Sequence, residues 1–325
     1  MSKVIDDTRR RTNPGATALA VTVAALVAFS VLLAIGRWLG GDVGMKRGYP
    51  LWAAVAAISL VIWMLTFIAG VGTRSRLPDE WRRPRRWWYR SILTYTALAV
   101  AASALLTLIT RELAPPPTNS MFVAVIGVLM ALGWVAAAPW IMLVWATHEE
   151  IWAMGGKIAS IAPPRALDDD GASEEIDSPD LGSAIDVMDA IWRCIEDSSL
   201  ALGLLLSTLV LNTGALRMAR LDAGLEPEAF PPYYVLGYGV FFALVAAAII
   251  VPLVLEWRVQ ATALVRRALT TSRSGVPSES QVAAEGRLVK RLGLDARLLR
   301  SPITALSLLA PFATAFVTAL VPSIG

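Results

Sequence analysis

Residues 233–255 read YYVLGYGVFFALVAAAIIVPLVL and hold no charged side chain. As a helix this stretch is about 35 Å long, enough to cross a hydrocarbon core about 30 Å thick. A helix on the surface of a soluble domain would show a polar face, and this run shows none. The segment is therefore read as a transmembrane helix, and the rest of the chain follows the same pattern.

Six further apolar segments avoid charge in the same way: Gly15–Gly36, Pro50–Val71, Ser91–Thr110, Ser120–Thr147, Leu200–Leu216 and Pro302–Val321. Charged residues make up 17% of the chain, against about 25% in a soluble domain. The expected fold is all-α, a polytopic transmembrane helix bundle of about seven spans.

Lysine and arginine set the orientation, because cytoplasmic loops hold the excess of both. With seven spans, 23 of these residues fall on one side and six on the other. The N-terminus is read as cytoplasmic and the C-terminus as external. The pI near 9.2 is then a topology signal, and no nucleic-acid partner is expected. Basic residues precede the first span as they would a signal peptide. Its apolar run is longer than a signal h-region, so it reads as an uncleaved span. The expected location is the plasma membrane, as in a bacterial cytoplasmic membrane.

Three parts are expected. Residues 1–160 form a four-span bundle and 161–181 an acidic cytoplasmic linker. Residues 182–325 form a three-span part with amphipathic cytoplasmic helices at 257–300. The linker carries Asp168, Asp169, Asp170, Glu174, Glu175 and Asp177 with too little apolar area to fold by itself. The segment 181–199 reads as a helix running straight into the fifth span. The helix from about 278 to 299 has an apolar face suited to lying on the membrane surface. Trp145, Trp152, Trp192 and Trp257 are expected in a headgroup-level belt on the cytoplasmic side.

Two groups of residues are candidates for function. Asp186, Asp189, Arg193 and Glu196 recur at three- and four-residue spacing, so they share one helix face, with Asp197 beside them. His148 and Glu149 end the fourth span at the same boundary. Packing of spans four and five would bring the two sets together as a gate or docking patch. Alternatively, the set is a solvated face with an internal Asp–Arg pair. The second group is Arg82, Arg83, Arg85, Arg86, Trp87, Trp88 and Arg90, cations beside aromatics that suit anionic lipid headgroups. Small-residue pairs such as Gly127/Ala131 and Gly133/Ala137 permit close helix contacts and oligomers.

The absences exclude more. One histidine rules out any mechanism needing two in one chain, and the lone Cys194 rules out an internal disulfide. No ionisable residue lies at mid-membrane depth, which disfavours proton-coupled transport. No lysine lies in a span, so a retinal Schiff base is excluded. Walker A, dinucleotide and metalloprotease motifs are absent, so no cofactor, metal or catalytic residue is assigned. Leu236-Gly237-Tyr238-Gly239 lacks the pore helix that a carbonyl filter needs.

Three readings remain. The first is a non-enzymatic membrane subunit that docks partners or lipids through its cytoplasmic face. The partners would be anionic headgroups, a membrane protein or further copies of itself. The second is a passive channel or uncoupled transporter, with Ser30, Ser59, Ser103, Ser207, Thr208, Asn212 and Thr314 lining a path. The third is a membrane enzyme acting on lipids through His148, Glu149, Glu196 and Asp197.

Overall fold

A computed structural model describes residues 14–38, 48–77, 87–113, 120–161, 179–268, 279–294 and 302–320. The helices are α1 (Pro14–Trp38), α2 (Gly48–Arg76), α3 (Trp87–Leu113), α4 (Ser120–Ser160), α5 (Pro179–Asp222), α6 (Pro232–Ala268), α7 (Glu279–Leu292) and α8 (Pro302–Leu320). One 3-10 turn, Pro227–Ala229, joins α5 to α6, and no strand occurs among the described residues. The expected all-helical bundle is what forms.

Five helices, α1, α2, α4, α5 and α6, are long and apolar enough to cross a membrane. The apolar part of α8, Thr304–Ala319, is shorter, about 24 Å as a helix. Among the described residues the bundle thus has five long apolar helices and a shorter one. Neighbouring helices nonetheless alternate in direction. Tyr49 at the start of α2 donates its hydroxyl to the carbonyl of Leu32 near the end of α1 (2.8 Å). Gly48 at the N-terminus of α2 donates its N–H to Asp222 at the C-terminus of α5 (2.7 Å), which satisfies one of the orphan donors of a helix start.

α5 is the central element and touches α2, α4, α6, α7 and α8. α1 packs on α2, and α3 packs on α4. Lipid tails are as apolar as leucine, so between membrane helices packing and hydrogen bonds do the work that water exclusion does elsewhere. α2 and α5 show this directly. The indole of Trp63 donates to the Thr208 hydroxyl at 2.8 Å. Asn212 donates to the Ser59 hydroxyl at 2.6 Å and to the Thr208 carbonyl at 2.9 Å.

α8 seats against α5 and α6 at three glycines. A Cβ at Gly203 would meet the backbone of Ser307, one at Gly214 would meet Thr318, and one at Gly239 would meet Ala315. Gly127, one of the spacings singled out in the sequence, faces open space instead. Gly239 belongs to the Gly-Tyr-Gly triplet, which lies inside α6 as a packing surface, with Tyr238 buried.

Three helices are much longer than a membrane needs. α4, α5 and α6 have 41, 44 and 37 residues. They extend about 55 to 66 Å, against about 40–45 Å for a bilayer with its headgroups. The excess gathers at one end, which carries Lys157, Arg193, Arg258 and Arg267 and is called here the basic end. There the C-terminal turns of α4 and α6 and the N-terminal turns of α5 form a three-helix stalk. Ile151, Met154, Met188, Ile191, Ile195, Trp257 and Leu264 are all buried in it.

Helix ends close the stalk locally. Arg267 of α6 donates to the carbonyls of Ile161 (2.8 Å) and Ala159 (3.2 Å), orphan acceptors at the end of α4. α7 ends at Gly293, whose φ of 64° only glycine adopts at little cost. Leu294 then returns its N–H to the Val289 carbonyl at 2.9 Å, closing a Schellman turn. Arg258 of α6 grips the Leu294 carbonyl at 3.2 Å.

α7 answers the membrane-surface expectation differently. It is shorter than read, and Leu292 is fully buried against the stalk core, with Leu288, Val289 and Leu294 packed beside it. The C-terminal part of the apolar face is therefore covered by protein, whereas Val282 in the first turn is exposed.

Candidate functional site at the basic end

His148 lies on α4 where the apolar run ends. Its Nδ1 sits 2.8 Å from a carboxylate oxygen of Glu256 on α6. No hydrogen bond forms at this nitrogen, so the contact is a close approach of imidazole and carboxylate. The imidazole also stands edge-on to Trp145, with ring centroids 5.5 Å apart. Sequence reasoning paired His148 with α5, and Glu256 was not singled out. The signal that would have found it is a lone carboxylate ending the charge-free run of the sixth span.

The acidic face of α5 is spread out. Asp186 is exposed and approaches Arg291 of α7 at 3.6 Å. Asp189 and Glu196 are partly exposed, while Arg193 and Asp197 are exposed. Asp197 precedes the apolar run that starts at Leu200. Partial burial, and then the neighbouring Glu196 carboxylate, raise its pKa above the usual aspartate range. Glu149 is partly exposed on α4. Next to it Glu150 turns inward and meets Lys157 at 3.4 Å, two helical turns on. No three His, Cys, Asp or Glu side chains converge as a metal would require among the described residues. The close charged contacts of the two sets are His148 with Glu256 and Asp186 with Arg291.

Cys194 is buried between these groups, also ahead of Leu200. Burial, reinforced by the charge of Asp197, pushes its thiol up to about 11, and the Thr147 hydroxyl opposes the shift. A thiol held protonated in this way is a poor nucleophile.

Of the second group, Arg82, Arg83, Arg85 and Arg86 lie outside the described residues, as does the side chain of Trp87. Trp88 is exposed at the start of α3. The guanidinium of Arg90 lies 5.8 Å from the centre of the Trp145 ring, a cation–π arrangement. The acidic linker falls almost wholly outside the described residues as well.

The tryptophans divide into two sets. Trp152 is 80% exposed on the stalk. Trp192 and Trp257 are instead stacked on each other in the core, 4.7 Å apart, so they are not a headgroup belt. The Trp257 N–H donates to the carbonyl of Met188 at 2.9 Å. The stalk core thus supplied the partners that a lipid interface was expected to supply.

No protein-family model, curated protein or solved structure matches this chain.

Proposed function

We propose that the protein is a non-enzymatic membrane subunit that docks a partner protein on the stalk at its basic end. The observation that carries this reading is the overshoot of α4, α5 and α6 beyond bilayer thickness, with a packed apolar core of its own. A bundle that only crossed the membrane would have no use for these turns. On the outside of the stalk Asp186, Arg193 and Asp197 of α5 are exposed, as is the indole of Trp152 on α4. Exposed tryptophan is a residue type enriched among the anchors of protein interfaces.

Several of the polar residues that a channel would use support the same reading. Ser59, Thr208 and Asn212 spend their hydrogen bonds on one another and on backbone carbonyls between α2 and α5. Thr314 bonds the Ala310 carbonyl within its own helix. An acid–base enzyme would need His148 near Glu196 or Asp197, and the carboxylate that His148 approaches is that of Glu256.

The test is a photo-crosslinking residue placed at position 152, with position 244 on the lipid-facing side of α6 as control. A discrete protein adduct from 152 and none from 244 is the expected result. Lipid adducts alone from both positions would discard the docking role.

A further inference from the structure

α3 and α6 both pack on α4, and between them lies a crevice with α4 and α5 as its floor. Leu98, Trp134, Ile141, Leu206, Phe241 and Ile249 are among its lining residues, and every lining residue is apolar. The space is shallow, about 30 Å³, and partly open to the surroundings. Water needs two to four polar partners to occupy such a space, and this lining has none to give. At bilayer depth the surrounding fluid is acyl chain.

The crevice leads to a polar rim. On α4 the stripe Ala137, Ile141, Trp145, His148 keeps helical three- and four-residue spacing, so one face runs from the apolar lining to the basic end. On α6 the face of Ile249 returns at Glu256. On α3 the rim residue is Arg90, about 12 Å along the helix from Leu98. Trp145 donates its N–H to the Thr94 hydroxyl at 3.1 Å, which holds the indole beneath Arg90. Arg90 has no carboxylate partner among the described residues. The rim carboxylate of α6, Glu256, lies 2.8 Å from His148.

We propose that this crevice binds one membrane glycerophospholipid, with an acyl chain between α3 and α6 and the phosphate on Arg90. The guanidinium recognises phosphate by charge-assisted hydrogen bonds while its face stays on the indole. The apolar lining takes the upper part of the chain. The site involves the membrane face of the bundle and not the exposed surface of the stalk, so it stands or falls apart from the docking role.

The experiment uses the full chain reconstituted in phosphatidylglycerol vesicles, extracted in mild detergent and weighed intact by native mass spectrometry. One lipid resists removal from the unsubstituted protein. Arg90→Gln, which removes the cation, and Ala137→Leu, which fills the crevice, each lower the retained fraction about tenfold, the scale of one charge-assisted contact. Leu244→Ala, on the exposed side of α6, leaves it unchanged. Phosphatidylcholine vesicles give the same single retained lipid, because the phosphate is shared. No retained lipid, equal loss from Leu244→Ala, or retention confined to phosphatidylglycerol overturns the proposal. If Ala137→Leu does not fold, Arg90→Gln decides, since Arg90 is exposed.

Discussion

The indole N–H of Trp257 on α6 donates to the main-chain carbonyl of Met188 on α5 across 2.9 Å, inside the core of the stalk. A stalk that projects beyond the bilayer, as proposed above, gains from removing apolar area from water. Trp257 is 1% exposed, and full burial of a large apolar side chain is worth about 1.5–3 kcal/mol. Trp257→Ala should lower stability by about 3–5 kcal/mol, the range for emptying a core aromatic. Trp257→Phe keeps most of the volume, loses the hydrogen bond and should cost about 1 kcal/mol. Denaturant unfolding in detergent, followed by tryptophan fluorescence, separates the two variants. Equal losses would mean that the hydrogen bond, not packing, dominates.

The glycine seats of α8 predict a different pattern. Gly203→Ala and Gly239→Ala place a methyl group against the backbone of Ser307 and against Ala315, and neither neighbour is the flexible end of a side chain. Overpacking of this kind costs about 1–3 kcal/mol. Gly127→Ala meets nothing and should be neutral or slightly stabilising, because alanine favours helix. Melting temperatures of the three variants check this, and a loss at Gly127 as large as at Gly239 would contradict the seating.

Cys194 should be silent toward maleimide in the folded protein near neutral pH and react fully after denaturation. Burial shields the sulfur, and the raised pKa keeps it protonated up to about 11. The sign for stability follows. A thiol that ionises at about 9.0 unfolded and about 11 folded favours the folded state below the lower value. That contribution is lost as the pH rises through the window between them, because the folded chain then holds the proton more tightly. Unfolding followed against pH should show a smaller alkaline loss between about 9.0 and about 11 in Cys194→Ala than in the unsubstituted protein.

The pair of His148 and Glu256 is partly open to solvent, so its removal should matter little to folding. Glu256→Gln is expected to change stability by less than about 1 kcal/mol, the scale of an exposed ion pair. A loss comparable to Trp257→Ala would mean that the pair is an organising element of the stalk.

The helices were legible in the sequence because charge avoidance over a whole span is a strong signal. The uninterrupted entry of 181–199 into the fifth span, and the continuation of the sixth span past Arg258, were legible for the opposite reason: apolar residues persist there at helical spacing. What escaped was which helices meet. Nothing in a single chain says that His148 faces Glu256 and not Glu196, because that depends on the rotation of three helices about their axes. The tryptophans misled because an indole suits both a headgroup layer and a core with a carbonyl acceptor. Gly127 and Gly239 are equally small, and only the approach of α8 tells them apart.

Proline interrupts α4 at Pro139, α6 at Pro252 and α8 at Pro311, whereas α5 has none after its first residue. Each interior proline removes a backbone hydrogen bond and gives its helix a point of bending. α5 has no such point between its stalk end and the Schellman turn at Gly224. It is therefore the long helix of the bundle without an interior proline kink. At Gly203 and Gly214 α8 comes so close to α5 that only the small side chains of Ser307 and Thr318 stand between the two backbones, so a tilt of α5 would carry α8 with it.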